Sequence, residues 1–366
     1  MFAIEMLPAG HGDSLWIEYG DDSATPHRIL IDGGTGPTYD VLRAKIDALP
    51  AGKRRFELIV VTHIDADHIE GMVRLLQDDG LQMEFGDAWF NGWRHLPTVD
   101  FGPEQGEVLS ALLLDKGIPW NKATGDRAVC RTQDAPLPNF ELEGGMTLTV
   151  LGPTPSELAN LQVVWKKQLE KEGLAPGSTR DAMDFLFKSK RLHIAGVEYG
   201  LPAPIDVKAL SQPDTDPDTS EPNASSITLL AEYQGKSAIL SGDCVAPVLG
   251  GGIRQLLTQR GQEVLHVDAF KVPHHGSRRN VRQDFLPLVE ASRYLFSSNG
   301  AYFNHPDQEA VARVLVEGAD GDANRELLFN YRTEENEVWD DSALGEEWKY
   351  TPVYPQPGSF GMRVDL

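Results

Sequence analysis

Apolar positions recur along this chain with two different periods. Near the start, "SLWIEYG" and "HRILIDGG" are short apolar runs bounded by turn residues, and both predict β-strands. Tyr39 to Leu49 repeats at helical spacing. "FELIVVTH" is almost continuously apolar, the pattern of a strand covered on both faces. Directly after it, Ile69, Met72, Val73 and Leu76 return to the helical period. Further along, "GEVLSALLLDKG" predicts a helix, "MTLTVLGP" a strand, and "SELANLQVVWKKQLEKEG" a helix with Ser156 as its N-cap. "SSITLLAEY" and "KSAILSGD" predict a hairpin around Gln234-Gly235. "VLHVDAFKVPHHGS" reads as one strand, and "RYLFSSNG" and "RELLFNYRT" as strands flanking a helix from about Pro306 to Glu317. No short-period repeat is present. Strands alternating with helices predict an α/β fold. The stretch "SQPDTDPDTSEP" at 211–222 has the composition of a mobile loop.

The chemistry-bearing residues cluster where predicted strands end. His63, Asp65, Asp67 and His68 occupy a loop between a buried strand and a helix, the usual place for function on a rigid α/β scaffold. Imidazoles and carboxylates this close repel and lose solvation unless a cation neutralises them, so a metal site is the preferred reading over a solvated acidic loop. Asp243 ends a second strand and, taken alone, reads as an ordinary turn residue. His274 and His275 end a third, beside Gly276 and Ser277, as ligands or as a polar loop. Together the clusters offer six or seven oxygen and nitrogen donors, enough for two cations.

In this order, "LIDGG", "THIDADHIEG", "SGD" and "HHGS" resemble the metallo-β-lactamase fold superfamily of binuclear metallohydrolases. With "GHGDSLWIE", "NASSITLL" and "FNHP" the chain resembles the metallohydrolase domain of ComEC-type competence proteins. The likeness covers about 1–80 and 220–310. It implies a four-layer αββα sandwich, one domain over 1–366, with insertions at about 80–145 and 155–222. It also implies that Asp32 supports the site, that His63 and Asp65 hold one metal, that Asp67 and His68 hold the second, and that Asp243 bridges both. One of His274 and His275 completes the second metal; His274, first after the strand, is the expected ligand. Asp65 stands where most members have histidine, and Asn223 and Ser225 stand where many have another. The first site, His63 and Asp65, is therefore expected to be weakly occupied. Added oxygen ligands raise the standing of manganese beside zinc, and both remain open. Water acidified by the cations would attack an electrophilic centre, with Asp67 or Asp243 orienting it or taking its proton.

Substrate contacts follow from position. Arg278 and Arg279, with Arg282 close behind, come straight after the HHGS loop and suggest a grip on phosphate, against the alternative of a solvated helix start. His305, Asn223 and Ser225 join them as candidate substrate contacts, while His11 reads as scaffolding. Trp89, Phe90, Trp93 and His95 line a pocket wall or belong to the core. A net charge of −22 disfavours duplex DNA and anionic membranes but not a small phosphate-bearing substrate. Two cysteines make no disulfide framework, no run approaches the roughly 18 apolar residues of a membrane span, and the N-terminus lacks a basic leader. A cytoplasmic protein is expected. The expected activity is that of a metal-dependent phosphodiesterase or nuclease. The alternatives are a hydrolase of lactones, thioesters or other carboxylic esters, and a non-catalytic subunit of a defence-type assembly that docks a protein partner through 80–222.

Overall fold

The computed structural model describes residues 1–22, 25–96, 108–171, 205–212, 215–318 and 324–366, with 168–171 described in backbone alone. The chain is a mixed α/β protein. One sheet has six strands: β1 (Phe2–Met6), β2 (Leu15–Tyr19), β3 (His27–Ile31), β4 (Arg55–Val60), β5 (Glu84–Trp89), and the C-terminal β16 (Met362–Asp365) beside β1. A second has eight, in the order β15 (Tyr350–Val353), β14 (Arg325–Phe329), β13 (Arg293–Phe296), β11 (Ala269–Lys271), β9 (Lys236–Leu240), β8 (Thr228–Tyr233), β7 (Thr147–Gly152) and β6 (Asn139–Glu141). A short parallel pair joins β10 (Leu265–Val267) to β12 (Val289–Ala291).

Alternation along the strands sorts side chains between apolar clusters. On β4, Leu58 and Val60 join a cluster that also takes Leu229, Ala231, Ala238, Leu240, Leu295 and Leu328 from the second sheet. Ile59 points the other way, onto α1 (Thr38–Asp47) and α2 (Ala66–Gln77) through Leu42, Ile46, Met72 and Leu76, and Phe56, near the start of the strand, departs from the alternation to join the same cluster. The opposite face of the second sheet, with Leu230, Ile239, Phe270 and Phe296, packs on α3 (Ala246–Arg260) and α4 (Gln308–Glu317). A strand covered on both faces needs apolar residues at every position, which is why "FELIVV" shows no period-two signal.

Several local expectations change. The stretch 80–145 is not wholly an addition, since it supplies β5 to one sheet and β6 to the other, while β7 lies between the two stretches expected as insertions; the parts 97–107, 172–204 and 213–214 lie outside the described residues. Thr154, not Ser156, precedes the helix Pro155–Lys171: its hydroxyl accepts from Ser156 N at 3.3 Å and Glu157 reaches back to its amide at 2.8 Å. The run 264–277 breaks into β10 and β11 at Asp268, whose carboxylate takes Lys236 Nζ at 2.7 Å and Ser237 N at 2.9 Å. Within the 211–222 segment, the described residues 215–222 are not a free loop, because Asp218 is buried and the guanidinium of Arg279 donates to the carbonyls of Asp216 and Pro217. The hairpin stands, with Gln234 and Gly235 at φ 48° and 78° between paired Tyr233 and Lys236. Among the described residues no helix is long and apolar enough to cross a membrane.

Candidate metal centre

The same ends of both sheets carry the candidate residues. Asp32 follows β3, His63 lies just beyond β4, Asp67 and His68 open α2, Asp243 lies beyond β9, and His274 and His275 beyond β11. Asp13, in the turn between β1 and β2, completes the set. Close backbone approach holds these loops together. A Cβ on Gly71 would lie 1.9 Å from Gly33 O, and one on Gly12 would lie 1.8 Å from Asp67 O, so only glycine allows these contacts.

Each histidine is oriented through its Nδ1. His68 Nδ1 donates to Asp32 Oδ2 at 2.8 Å, and the same carboxylate accepts from the Thr62 amide and hydroxyl, both at 2.8 Å. His63 Nδ1 lies 3.0 Å from Thr62 Oγ1. His275 Nδ1 lies 3.0 Å from Asp13 Oδ1, which also accepts from Ser297; the other Asp13 oxygen meets Lys271 Nζ at 2.5 Å. His274 Nδ1 lies 3.0 Å from Asn280 Oδ1 and 3.4 Å from Asp218 Oδ2. A carboxylate or amide behind the ring fixes the proton on Nδ1 and leaves Nε2 as a ligand, a recurrent arrangement around protein-bound metals.

The Nε2 atoms turn inward. His68 Nε2 is 3.3 Å from Asp243 Oδ2 and 3.8 Å from Asp67 Oδ2, and His275 Nε2 is 3.4 Å from each of those oxygens. A tetrahedral ion with bonds of about 2.1 Å separates its ligands by roughly 3.4 Å, so this spacing suits one cation. His63 Nε2, His68 Nε2, His275 Nε2 and Asp243 Oδ1 are buried without a hydrogen-bond partner. Buried polar atoms are ordinarily paired, and such a group of exceptions calls for a ligand. Asp13, His68, Asp243 and His275 are all buried and bring ligand atoms within 4.8 Å of one another, a group that could hold a metal ion. Within it Asp13 is already saturated by Lys271, His275 and Ser297, and acts as support for His275.

Electrostatics agree with that reading. Burial works against charging the His68 ring, but Asp243, Asp32 and Asp67 outweigh it and hold its pKa well above the ordinary imidazole value. Burial likewise opposes charge on His275, and Asp243 and Asp13 overcome it. Burial tends to raise the Asp243 carboxyl, yet the imidazoles of His275, His68 and His274 hold it well below the usual range. The carboxylates demand positive charge, and a divalent cation is the more compact way to supply it.

The structure thus brings His275, rather than the expected His274, to Asp67, His68 and Asp243. His274, His275 and Gly276 have φ of 49°, 55° and 89°, so the loop coils left-handedly and aims the two rings apart. His274 Nε2 stands 3.7 Å from Asp243, its side chain 22% exposed at the mouth. Asp65, 3.6 Å from His63 Nε2, is 42% exposed. Asn223 donates to Asp218 at 2.7 Å and keeps a buried Oδ1 without partner. Ser225 donates to Pro222 O at 2.6 Å. Arg278 pairs with Glu309 at 2.7 Å and Arg282 with Asp284 at 3.0 Å; with Arg279 they fasten the 215–218 segment, and Thr215 Oγ1 donates to Arg278 O at 3.0 Å. His305 is buried, its ring edge-on to His274 at 5.5 Å. Trp89 and Phe90 are core, and His95 packs edge-on to Trp120 at 4.6 Å.

Sequence reasoning missed Asp13, Lys271 and Asp218. A lysine inside the apolar run "AFKVP" was a usable signal for a buried partner charge. Asp218 gave none, hidden in a stretch of turn-forming composition. No protein-family model matches the chain, and no curated protein matches it.

Proposed function

We propose that this chain is a metal-dependent hydrolase built on the four-layer αββα sandwich of the metallo-β-lactamase superfamily, acting on a phosphodiester. One observation carries the reading: unpartnered, buried Nε2 atoms of His68 and His275 converge on the Asp67 and Asp243 oxygens at the spacing of a metal's ligands. Asp67, His68, Asp243 and His275 would hold one divalent cation. His63 and Asp65, with Asp243 between the two positions, would hold a second and weaker one. A cation there supplies Lewis acidity and a water acidic enough to attack near neutral pH.

The chain's own groups do the rest. Asp67 is kept ionised, since His68 and His275 overcome the effect of its burial, and its side chain, 19% exposed, reaches the mouth. It can therefore orient the attacking water and accept its proton. Asp32 and Asp13 keep the imidazoles in their ligating tautomer. The donor set is rich in carboxylate, with Asp65, Asp67 and Asp243, which suits a hard cation and a phosphate oxygen. The likeness to ComEC-type metallohydrolases points to the same substrate class.

The test is metal content of the purified protein, followed by turnover of bis(p-nitrophenyl) phosphate with Mn²⁺ or Zn²⁺. Asp243→Ala and Asp67→Ala should lose metal and at least about a hundredfold in rate. Equal turnover in wild type and both variants sinks the proposal. Cleavage of a thioester or lactone with no phosphodiester turnover moves the substrate class to carboxylic esters.

A further inference from the structure

Rings run outward from the metal centre in an unbroken series. His275 meets His274 at 5.7 Å, His274 meets His305 at 5.5 Å, and His305 stacks on Phe303 at 5.8 Å with planes 27° apart. Phe303 meets Tyr302 edge-on at 4.4 Å, and Tyr302 stacks on His11 at 5.1 Å. Phe303 is 49% exposed although its neighbours on both sides are rings. A large apolar ring held open three ring contacts out from His275 has a face to offer.

The backbone keeps this surface in place. Gly300 and Asn304 take left-handed φ of 73° and 58°, and Asn304 N bonds Gly300 O at 3.1 Å, closing the turn that presents Tyr302 and Phe303. Asn299 N bonds Gly10 O at 3.0 Å, tying the turn to the loop that carries His11. That loop reaches the metal centre at Gly12, against Asp67 O. The rings are therefore fixed relative to Asp67 and Asp243 rather than borne on a separate arm.

We infer that Phe303, flanked by Tyr302 and His305, is a stacking platform for a nucleobase next to the phosphate that reaches the metal centre. The inference rests on the hydrolase reading and narrows it to nucleotide substrates. A base presents a flat π-face of the right size, and stacking on an aromatic side chain contributes enough for about tenfold in affinity or more.

The experiment compares two probes on Mn²⁺-loaded protein by calorimetry: adenosine 5′-monophosphate and ribose 5-phosphate, which lacks the base. Wild type should bind the nucleotide at least about tenfold more tightly. In Phe303→Ala that ratio should fall to within about twofold, and Phe303→Trp should restore it, with indole fluorescence quenched by the base. Phe360→Ala, at another exposed phenylalanine, should leave the ratio as in wild type. A ratio near one in wild type, or an unchanged ratio in Phe303→Ala, overturns the platform. If ribose 5-phosphate still binds in a metal-dependent way, the hydrolase reading survives that result. If neither probe binds, both fall.

Discussion

Lys271 and Asp13 meet at 2.5 Å where neither side chain reaches solvent. Lys271 sits at the end of a buried strand, and its ammonium also donates to Val272 O at 3.0 Å. The pair sets the charge behind His275, because the Asp13 oxygen not bound to lysine takes His275 Nδ1. Removing one partner leaves a buried charge unanswered. Lys271→Met should therefore cost about 3–5 kcal/mol of stability, and Lys271→Met with Asp13→Asn clearly less than the two singles added. Urea unfolding of the three variants reads this; additive losses would contradict the pairing.

Asp32 stands behind the rings of His68 and His63 and acts only through hydrogen bonds, to His68 directly and to His63 by way of Thr62. Asp32→Ala should lower metal affinity by about 10- to 100-fold without removing any ligand atom. Competition with a chromophoric chelator measures it. Affinity within twofold of wild type would mean the rings orient themselves.

Asp218 should matter to the mouth and not to the inner cluster. It accepts from Asn223 at 2.7 Å, Asn280 at 2.9 Å and the Ser220 amide at 3.0 Å. Asp218→Ala should open the 215–224 segment to limited proteolysis while at least one equivalent of metal stays bound. Loss of all metal would instead make His274 part of the inner site.

His95 predicts an acid-sensitive contribution to stability away from the candidate metal centre. Burial, and then the Arg94 guanidinium, press its pKa down to about 3, and its Nε2 accepts from Arg94 Nε at 3.2 Å. A folded pKa below the unfolded value of about 6.5 gives stability that is whole above pH 6.5 and drains away as pH falls toward 3. The slope reaches at most about 1.4 kcal/mol per pH unit. His95→Gln keeps an acceptor for Arg94 but takes up no proton. Between pH 7 and 4.5 the variant should lose about 2 kcal/mol less than wild type in urea unfolding. Parallel losses would mean His95 is charged in the fold.

The sequence by itself determined the elements and half of the centre. Short apolar runs bounded by turn residues located β2, β3, β4 and the β8–β9 hairpin, and the 3.6-residue period located α2, because burial imposes those patterns on any chain that folds this way. His63, Asp65, Asp67 and His68 were legible together since one loop carries them all. Tertiary structure decided the rest. Asp13 and Asp218 lie far along the chain from the rings they serve, as Lys271 does from Asp13, and no local pattern marks a contact between β1–β2, β11 and the 215–224 segment. The choice between His274 and His275 turned on a backbone that coils left-handedly through both, which residue types alone do not dictate. The arginines after HHGS carried the charge expected of a phosphate grip, but packing spent them on Glu309, Asp284 and the carbonyls of the neighbouring segment. A side chain's type is local, whereas its partner is a property of the whole fold.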